Sequence, residues 1–570
     1  MILHRPETIE RYTASGAWTG ETLHDLLRAR AREAPAALAL VDPPNKRVWT
    51  DLPVRRLPWS GVLQAVARLA FALDRAGLRR DDVLLAQLPN IAEFALLHLA
   101  CARLGIVLSP LHVQQRRYEL LRCSSIAQAK AFVTLRRIGK SDQQALVRSL
   151  RDDGCALAVL WLEDLLGDGE GAGDDTVEAA LREAAARHPV TANDIHTICW
   201  TSGTEGDPKG VPRSHNNWTA VARRIIRSAG LRPDDVLLNP FPLVAVAGLT
   251  VLTPWLVLGG RLVLHQPSDL DVLLRQIGEE GAHYVCIAPA LLNRLLLEPG
   301  LMKAADLSTL RVIGSGSGPI DPWTIAAFRD RYRIEIVNFY GSNEGVGLAA
   351  GPDEVPDPVR RAVLFPATGH DDGTPGLGQP DQVVTRLIDR ETGRPVGADG
   401  SIGELAVRGP MVFSGYYSAP ERNAAAFTAD GFFLTGDMFQ LERDAATRRS
   451  YYRFLGRYKD IIVRGGMKIS PEELDRLLIG HPKLREAACC GYRDAILGEK
   501  VGVVVVPRAG ETVILADITT WLRDAGVAVY KLPEALVAID ALPRSPLNKV
   551  LRRELRPLFD DIATSIPPSL

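Results

Sequence analysis

Apolar runs of strand length and segments of helical period alternate along the first 340 residues. Val83-Leu84-Leu85-Ala86-Gln87-Leu88 is a continuous buried-strand run that stops at Pro89-Asn90. Ile91 to Leu104 then carries apolar residues at helical spacing, and Gly105 ends the helix. Further strand-length runs fall at 106–109, 130–134, 157–162, 195–201, 262–265, 284–288, 310–314 and 334–339. This rhythm predicts an α/β fold, with mostly parallel sheets flanked by helices. From about residue 376 strand follows strand, at 382–388, 402–408, 433–439 and 451–454, which predicts a β-rich subdomain over about 376–455. Beyond Gly456-Arg457 a compact α+β unit is predicted. It has a helix from Pro471, strands near 486–491 and 503–506, and helices near 514–525 and 549–558. The charged, glycine-flanked 456–460 segment reads as a hinge between an N-terminal domain, 1–455, and a small mobile C-terminal lid, 461–570. Gly167 to Asp175 reads as a flexible acidic loop, and Glu354 to Pro358 as a proline-rich break.

The 570 residues carry 67 Lys and Arg against 68 Asp and Glu, with a hydrophobic share of 46% and a charged share of 24%. Such a chain buries a sizeable core and is neither disordered, collagen-like nor a disulfide miniprotein. Its balanced charge gives no bulk electrostatic reason for nucleic acid or an anionic membrane surface as partner. Val236 to Gly260 carries no charge and is long enough to span a bilayer, but Pro240, Pro242 and Pro254 interrupt it. A buried strand–loop–helix is expected there, and no membrane span. The seven cysteines form no C-x-x-C pair and lie mostly in apolar runs. They read as small buried hydrophobes in a reducing, cytoplasmic setting, and the start of the chain lacks the apolar core of a secretory signal.

The segment Thr201-Ser202-Gly203-Thr204-Glu205-Gly206-Asp207-Pro208-Lys209-Gly210 follows the strand His196–Trp200 directly. Glycines let backbone N–H groups approach a phosphate, hydroxyls donate further bonds, and a lysine neutralises charge. It is not a Walker A loop, because Lys209 follows proline and precedes glycine. The string resembles the signature of the adenylate-forming superfamily, which comprises acyl-CoA synthetases, non-ribosomal peptide adenylation domains and luciferases. The family pattern is [Y/T]-S-G-[ST]-T-G-x-P-K-G, and this chain departs from it at Glu205. The resemblance gives Thr201, Ser202, Gly203, Thr204 and Lys209 the role of holding the β- and γ-phosphates of ATP.

Further motifs follow in family order. Asn338-Phe339-Tyr340-Gly341-Ser342-Asn343-Glu344 is similar to N-x-Y-G-x-T-E. By resemblance Tyr340 stacks on adenine, Asn338 bonds its amino group, Glu344 holds Mg²⁺ against the phosphates, and Gly341 belongs to the same nucleotide turn. Asn343 replaces the usual threonine at the α-phosphate, so a retuned site is expected. Gly314 to Pro319, including Gly316, looks like the family's glycine-rich turn beside adenine and the acyl pocket. Gly403-Glu404-Leu405 through Gly415-Tyr416-Tyr417 matches G-E-L…G-Y and reads as mainly structural. Thr435-Gly436-Asp437 matches the motif whose aspartate grips the ribose diol, a task suited to a carboxylate. Gly456-Arg457-Tyr458-Lys459-Asp460 resembles the family hinge, with Arg457 at ribose or phosphate and Lys459 as pivot. Gly465 to Glu473 resembles the glycine turn before the first C-terminal helix. Pro543-Arg544-Ser545-Pro546-Leu547-Asn548-Lys549-Val550 is similar to P-[RK]-[TS]-x-x-G-K-[VI], whose lysine bridges the carboxylate and α-phosphate. Asn548 stands at the glycine position, where asparagine tolerates positive φ best after glycine.

The resemblance implies an ATP-, Mg²⁺- and coenzyme A-dependent acid–thiol ligase. A carboxylic acid becomes an acyl-adenylate with release of pyrophosphate, and the acyl group then passes to the CoA thiol, leaving AMP. Glu344 and Lys549 are its candidate catalytic residues. The alternative is a stand-alone adenylating enzyme that loads a carrier protein's phosphopantetheine arm; a nucleotide binder without catalysis would lack carboxylate-dependent ATP–pyrophosphate exchange. Phe241 to Leu249 falls where the family has P-L-[FY]-H-x-x-G, with Val244 and Ala245 at the aromatic and histidine positions. No aspartate lies between 236 and 260 to pair a substrate ammonium, which argues against an amino acid. Val244, Ala245, Gly248 and Gly345 predict a roomy apolar pocket for an aryl, alicyclic or medium-chain acid.

Overall fold

The computed structural model describes residues 1–170, 173–201, 208–266, 269–303, 305–317, 320–368, 383–390, 392–445, 447–457, 462–469, 471–478, 480–543, 550 and 552–560. Two large sheets carry most of the strands expected before residue 340. One has eight strands in the order Gly347–Ala350, Glu335–Gly341, Val312–Gly316, Tyr284–Cys286, Val236–Asn239, Arg261–Leu264, Leu38–Val41 and Arg56–Pro58. Its inner pairs are parallel and its two edge strands antiparallel. The second has six, in the order Lys209–Ser214, Ile195–Thr201, Val107–Leu111, Val83–Gln87, Ala131–Thr134 and Ala158–Trp161. Only Lys209–Ser214 is antiparallel in it.

The core lies between these sheets. Every residue of helix Ala92–Leu104 except Arg103 is buried, which explains why apolar residues occupy most of its circumference, the buried Glu93 being paired with Lys46. Gly105 closes it at φ 69°, a left-handed turn that glycine adopts without a Cβ clash. The uncharged 236–260 stretch is the strand Val236–Asn239, a short loop and the helix Val246–Leu258. Trp255 of that helix stacks on Trp59, with ring centroids 4.8 Å apart, and joins the same core. Among the described residues no helix is long and apolar enough to cross a membrane.

A third sheet, antiparallel throughout, orders Leu364–Pro366, Ser450–Arg457, Phe433–Arg443, Ile402–Arg408, Val384–Ile388 and Pro395–Val396. From residue 462 the chain builds its own five-stranded sheet and its own apolar clusters. The Gly167–Asp175 stretch departs from the loop expected of it. Residues 167–170 end the helix Leu162–Glu170, which Leu162 and Leu165 anchor in the core. Asp174 and Asp175 open the helix Asp174–Arg187, where their charge suits the N-terminal dipole and Asp174 pairs with Arg68.

Candidate active site

The phosphate-loop motif sits on a β-hairpin. Strand Ile195–Thr201 pairs with Lys209–Ser214 so that Thr201 and Lys209 face each other across the ladder. The hairpin thus fixes both ends of the loop; Ser202, Gly203 and Thr204 lie outside the described residues. The Lys209 ammonium stands 4.8 Å from the centre of the Tyr416 ring, a cation–π geometry. The Tyr416 hydroxyl donates to Glu344 Oε1 at 3.0 Å. The lysine of the phosphate-loop motif and the carboxylate expected to hold a metal are therefore joined through a single buried phenol. That phenol comes from the G-Y motif read as structural, so Tyr416 was missed; its place one residue from Tyr417, whose N–H donates to Gly210 O, is visible only in three dimensions.

Tyr340 donates its hydroxyl to Asp437 Oδ2, which brings the expected adenine platform and ribose carboxylate together across 97 residues of chain. Its ring packs edge-on against Phe439, centroids 5.0 Å apart. Gly436 N donates to the buried Glu404 carboxylate at 2.7 Å, giving the G-E-L motif a role in shaping the Thr-Gly-Asp turn. Asp437 and Arg457 are direct partners in the antiparallel ladder, so the backbone places both ribose candidates together. Asn338 Nδ2 donates to the carbonyls of Arg361 and Ala362 at 3.1 and 2.9 Å, which fixes the plane of its amide.

The Asn343-Glu344 turn is held from several sides. Arg213 Nη1 donates to Asn343 O at 2.7 Å while its guanidinium lies 4.4 Å over the Trp218 ring. Burial lowers the pKa of Arg213 to about 10, which still leaves it charged at neutral pH. Phe413 N donates to Glu344 O at 2.9 Å. Gly345 follows at φ 95°, where a Cβ would stand 1.8 Å from Met411 O, so only glycine fits.

Beside this turn opens a cavity walled by Phe241, Val246, Ala247, Thr250, Gly345 and Phe339, with Gly316, Tyr340 and Gly341 at its edge. Of the residues expected at an acyl pocket, Gly345 lines this cavity and Val244, Ala245 and Gly248 do not. Val244 turns into the core, and a Cβ on Gly248 would meet Pro242 O at 2.1 Å. Their neighbours Val246, Ala247 and Thr250 form the wall instead, because the helix begins at Val246 and turns those residues inward. The wall is less apolar than expected: it also includes the buried Arg213 and Arg224, the latter 3.3 Å from Glu354.

Among the described residues no three His, Cys, Asp or Glu side chains converge on a metal position. A buried carboxylate with one oxygen already oriented nevertheless suits Mg²⁺, which takes one or two protein carboxylates and completes its shell with substrate phosphates and water.

The C-terminal unit approaches one residue of the cavity lining, Ser317. Gly466 of its glycine turn lies against Ser317, where a methyl group would come within 3.7 Å of the serine Cβ. Elsewhere on the seam Lys531 Nζ stands 2.8 Å from Glu473 in its own unit and 3.3 Å from Glu119 of helix Arg117–Ala127. Glu119 Oε1 also accepts from Ala528 N at 3.3 Å. Burial works against the Lys531 charge, but the surrounding Glu473, Tyr530 and Glu119 raise its pKa above the ordinary lysine value. Lys459 and Lys549 lie outside the described residues.

Three comparisons bear on this geometry. The chain matches the AMP-binding enzyme family over residues 27–417 and the AMP-binding enzyme C-terminal domain over 473–549. It is 31% identical to pyochelin synthase PchD of Pseudomonas aeruginosa over 564 residues, covering 96% of this chain and 94% of that protein. It is 30% identical to a salicylyl-CoA synthase / salicylate adenylyltransferase of a Streptomyces species over 577 residues, covering 98% of each. The fold matches the amide bond synthetase McbA of Marinactinospora thermotolerans with a TM-score of 0.76, at 24% identity over 95% of this chain and 100% of that one. With both family models in order along the chain, the chain belongs to the AMP-binding, adenylate-forming enzymes.

Proposed function

We propose that the chain activates a carboxylic acid with ATP to an acyl-adenylate, releasing pyrophosphate, and passes the acyl group to the thiol of coenzyme A with release of AMP. The observation that carries this reading is the pairing of the motif residues: Lys209 and Glu344 meet through Tyr416, and Tyr340, at the cavity edge, bonds to Asp437. In this reading Tyr340 stacks on adenine and the Asn338 Oδ1 accepts from its amino group. Asp437 and Arg457 hold the ribose, and the 201–210 hairpin cradles the outer phosphates. Lys549 carries its ammonium to the carboxylate and α-phosphate, offsetting the repulsion between two anions. Bound at Glu344, Mg²⁺ would screen phosphate charge. The C-terminal unit then rotates about Lys459, withdrawing Lys549 and presenting the thiol path. The buried free thiols fit a reducing, cytoplasmic setting.

For the acid we propose an aryl carboxylate. The cavity places Phe241, Phe339 and Tyr340 around glycine-lined space, which suits a flat ring, and the salicylate-named relative points the same way. A panel of benzoate, salicylate, cyclohexanecarboxylate and octanoate, each with ATP and CoA, tests the proposal by mass spectrometry of AMP and acyl-CoA. The aryl acids are expected to give the most product. Carboxylate-dependent pyrophosphate exchange without any acyl-CoA would replace CoA by a carrier-protein thiol as acceptor. No exchange with any acid would overturn the reading.

A further inference from the structure

Two departures from the family pattern meet in space. Helix Val246–Leu258 carries Val246, Ala247 and Thr250 of the cavity wall, and it starts on Ala245, which is extended at φ −151° and ψ 177°. Most helices begin on a side chain with an oxygen that accepts from the first turn. Alanine has none, and Ala245 stands where the family carries histidine. The N–H of the first helical residue is met from 97 residues away: Asn343 Oδ1 accepts from Val246 N at 2.8 Å. The other end of the same amide, Nδ2, donates to Trp200 O at 3.2 Å. Trp200 directly precedes Thr201, where the phosphate hairpin pairs with Lys209. The backbone carbonyl of Asn343 accepts from Arg213, on the returning strand of that hairpin.

One side chain thus ties the acyl-pocket helix to the hairpin that presents the phosphate loop. Threonine, usual at this position, offers a single oxygen closer to the backbone, with no second polar atom to reach both segments. The geometry points to Asn343 as a positioning residue that couples the acid and nucleotide sites, acting through Val246 and Trp200 rather than as a ligand of the α-phosphate. A nucleotide that settles the hairpin also settles the start of the helix, and an acid packed on that helix steadies the hairpin. Linkage requires the effect to be equal in both directions. This inference rests on the acid-activating reading above.

The test is a binding cycle by titration calorimetry, with salicylate, benzoate and octanoate as acid probes and the Mg²⁺ complex of α,β-methylene-ATP, whose α–β link adenylation cannot break, as nucleotide. In the wild type the acid Kd is expected to fall about tenfold when the analogue is present, and the analogue's Kd by the same factor when acid is present. Asn343→Ala should reduce that factor to within about twofold of unity. Asn343→Asp keeps an acceptor for Val246 N but turns an oxygen toward Trp200 O. It should hold the acid alone with nearly wild-type affinity and lose the coupling, a split that a general loss of stability would not produce. Adding Ala245→Ser to Asn343→Ala restores a local cap to the helix without restoring the link to Trp200, so coupling should stay lost. Full coupling in both Asn343 variants, or no coupling in a wild type that binds both ligands, overturns the inference and leaves the proposed function standing. A wild type that binds α,β-methylene-ATP but none of the three acids, with or without nucleotide, contradicts the proposed function and the inference together.

Discussion

The site cluster and the seam beneath the C-terminal unit are both assembled from residues distant in sequence, yet different forces tie them. In the site the ties are mostly directional hydrogen bonds among groups that stay together: Tyr416 to Glu344, Tyr340 to Asp437, Arg213 to the Asn343 carbonyl. In the seam one ammonium stands between two carboxylates, and only Glu119 belongs to the other side. If the unit moves, Lys531 keeps Glu473, and Glu119 regains water. A buried ion cluster that can be parted this way suits the rotation proposed above for the C-terminal unit. A hydrogen-bonded scaffold suits geometry that must persist.

Lys549→Ala bears most strongly on this contrast. It should lower adenylation by about 10²–10³-fold, the scale of losing one charge-stabilising group, while sparing transfer from supplied acyl-adenylate. Equal loss of both half-reactions would contradict the proposed division of labour between scaffold and mobile unit.

The next effect is on stability. His98, His196 and His215 form a buried row, with His98 facing His196 at 3.4 Å and the Leu243 carbonyl at 2.9 Å, and Leu23 N donating to His215. Burial lowers the pKa of His98 and of His215 to about 4, and that of His196 well below the ordinary 6.5. These groups stay neutral when folded and take up protons when unfolded. The stability they confer is complete above pH 6.5 and is lost as pH falls from 6.5 toward 4, by about 1.4 kcal/mol per unit for each histidine. Urea midpoints between pH 7 and 5 measure this; a flat profile would refute it.

Tyr416→Phe keeps the ring beneath Lys209 but removes the hydroxyl from Glu344. A hydrogen bond to a charged group is worth about 1.5–3 kcal/mol, so the Mg²⁺ concentration for half-maximal exchange should rise about tenfold or more. An unchanged Mg²⁺ dependence would assign Tyr416 to packing alone.

Glu119→Gln should have the smallest effect, because it leaves Lys531 and Glu473 as a neutral pair and an amide oxygen for Ala528 N. We expect thioester transfer to slow about fivefold, on the order of 1 kcal/mol, with adenylation unchanged. Faster cleavage by trypsin around residues 457–464 should accompany it. Equal slowing of both steps would show that the seam does not select an orientation.

Most of the fold was legible because strand runs such as Val83–Gln87 and the helix Ala92–Leu104 are fixed by local pattern and burial. The motifs located the hairpin, the Tyr340–Glu344 turn and Asp437. What the sequence withheld was partnership. Nothing local says that Tyr416 reaches Glu344, that Asn343 reaches Val246, or that Glu119 meets Lys531 more than 400 residues later. The residues lining the cavity are offset by one or two from three of those expected at the acyl pocket, because the lining depends on where a helix begins, and the first N–H of that helix is met by Asn343 from a distant turn. The acidic 167–175 stretch looked like a loop because its glycines hid two helix ends.

The seven free thiols have a practical use. Burial raises the pKa of Cys199 to about 11 and those of Cys286 and Cys490 to about 12, and pushes Cys101, Cys123 and Cys489 up as well. Cys155 alone is half-exposed. A maleimide dye should therefore mark the native protein at a single address without any engineering, and the six slower sites would become a built-in clock for unfolding.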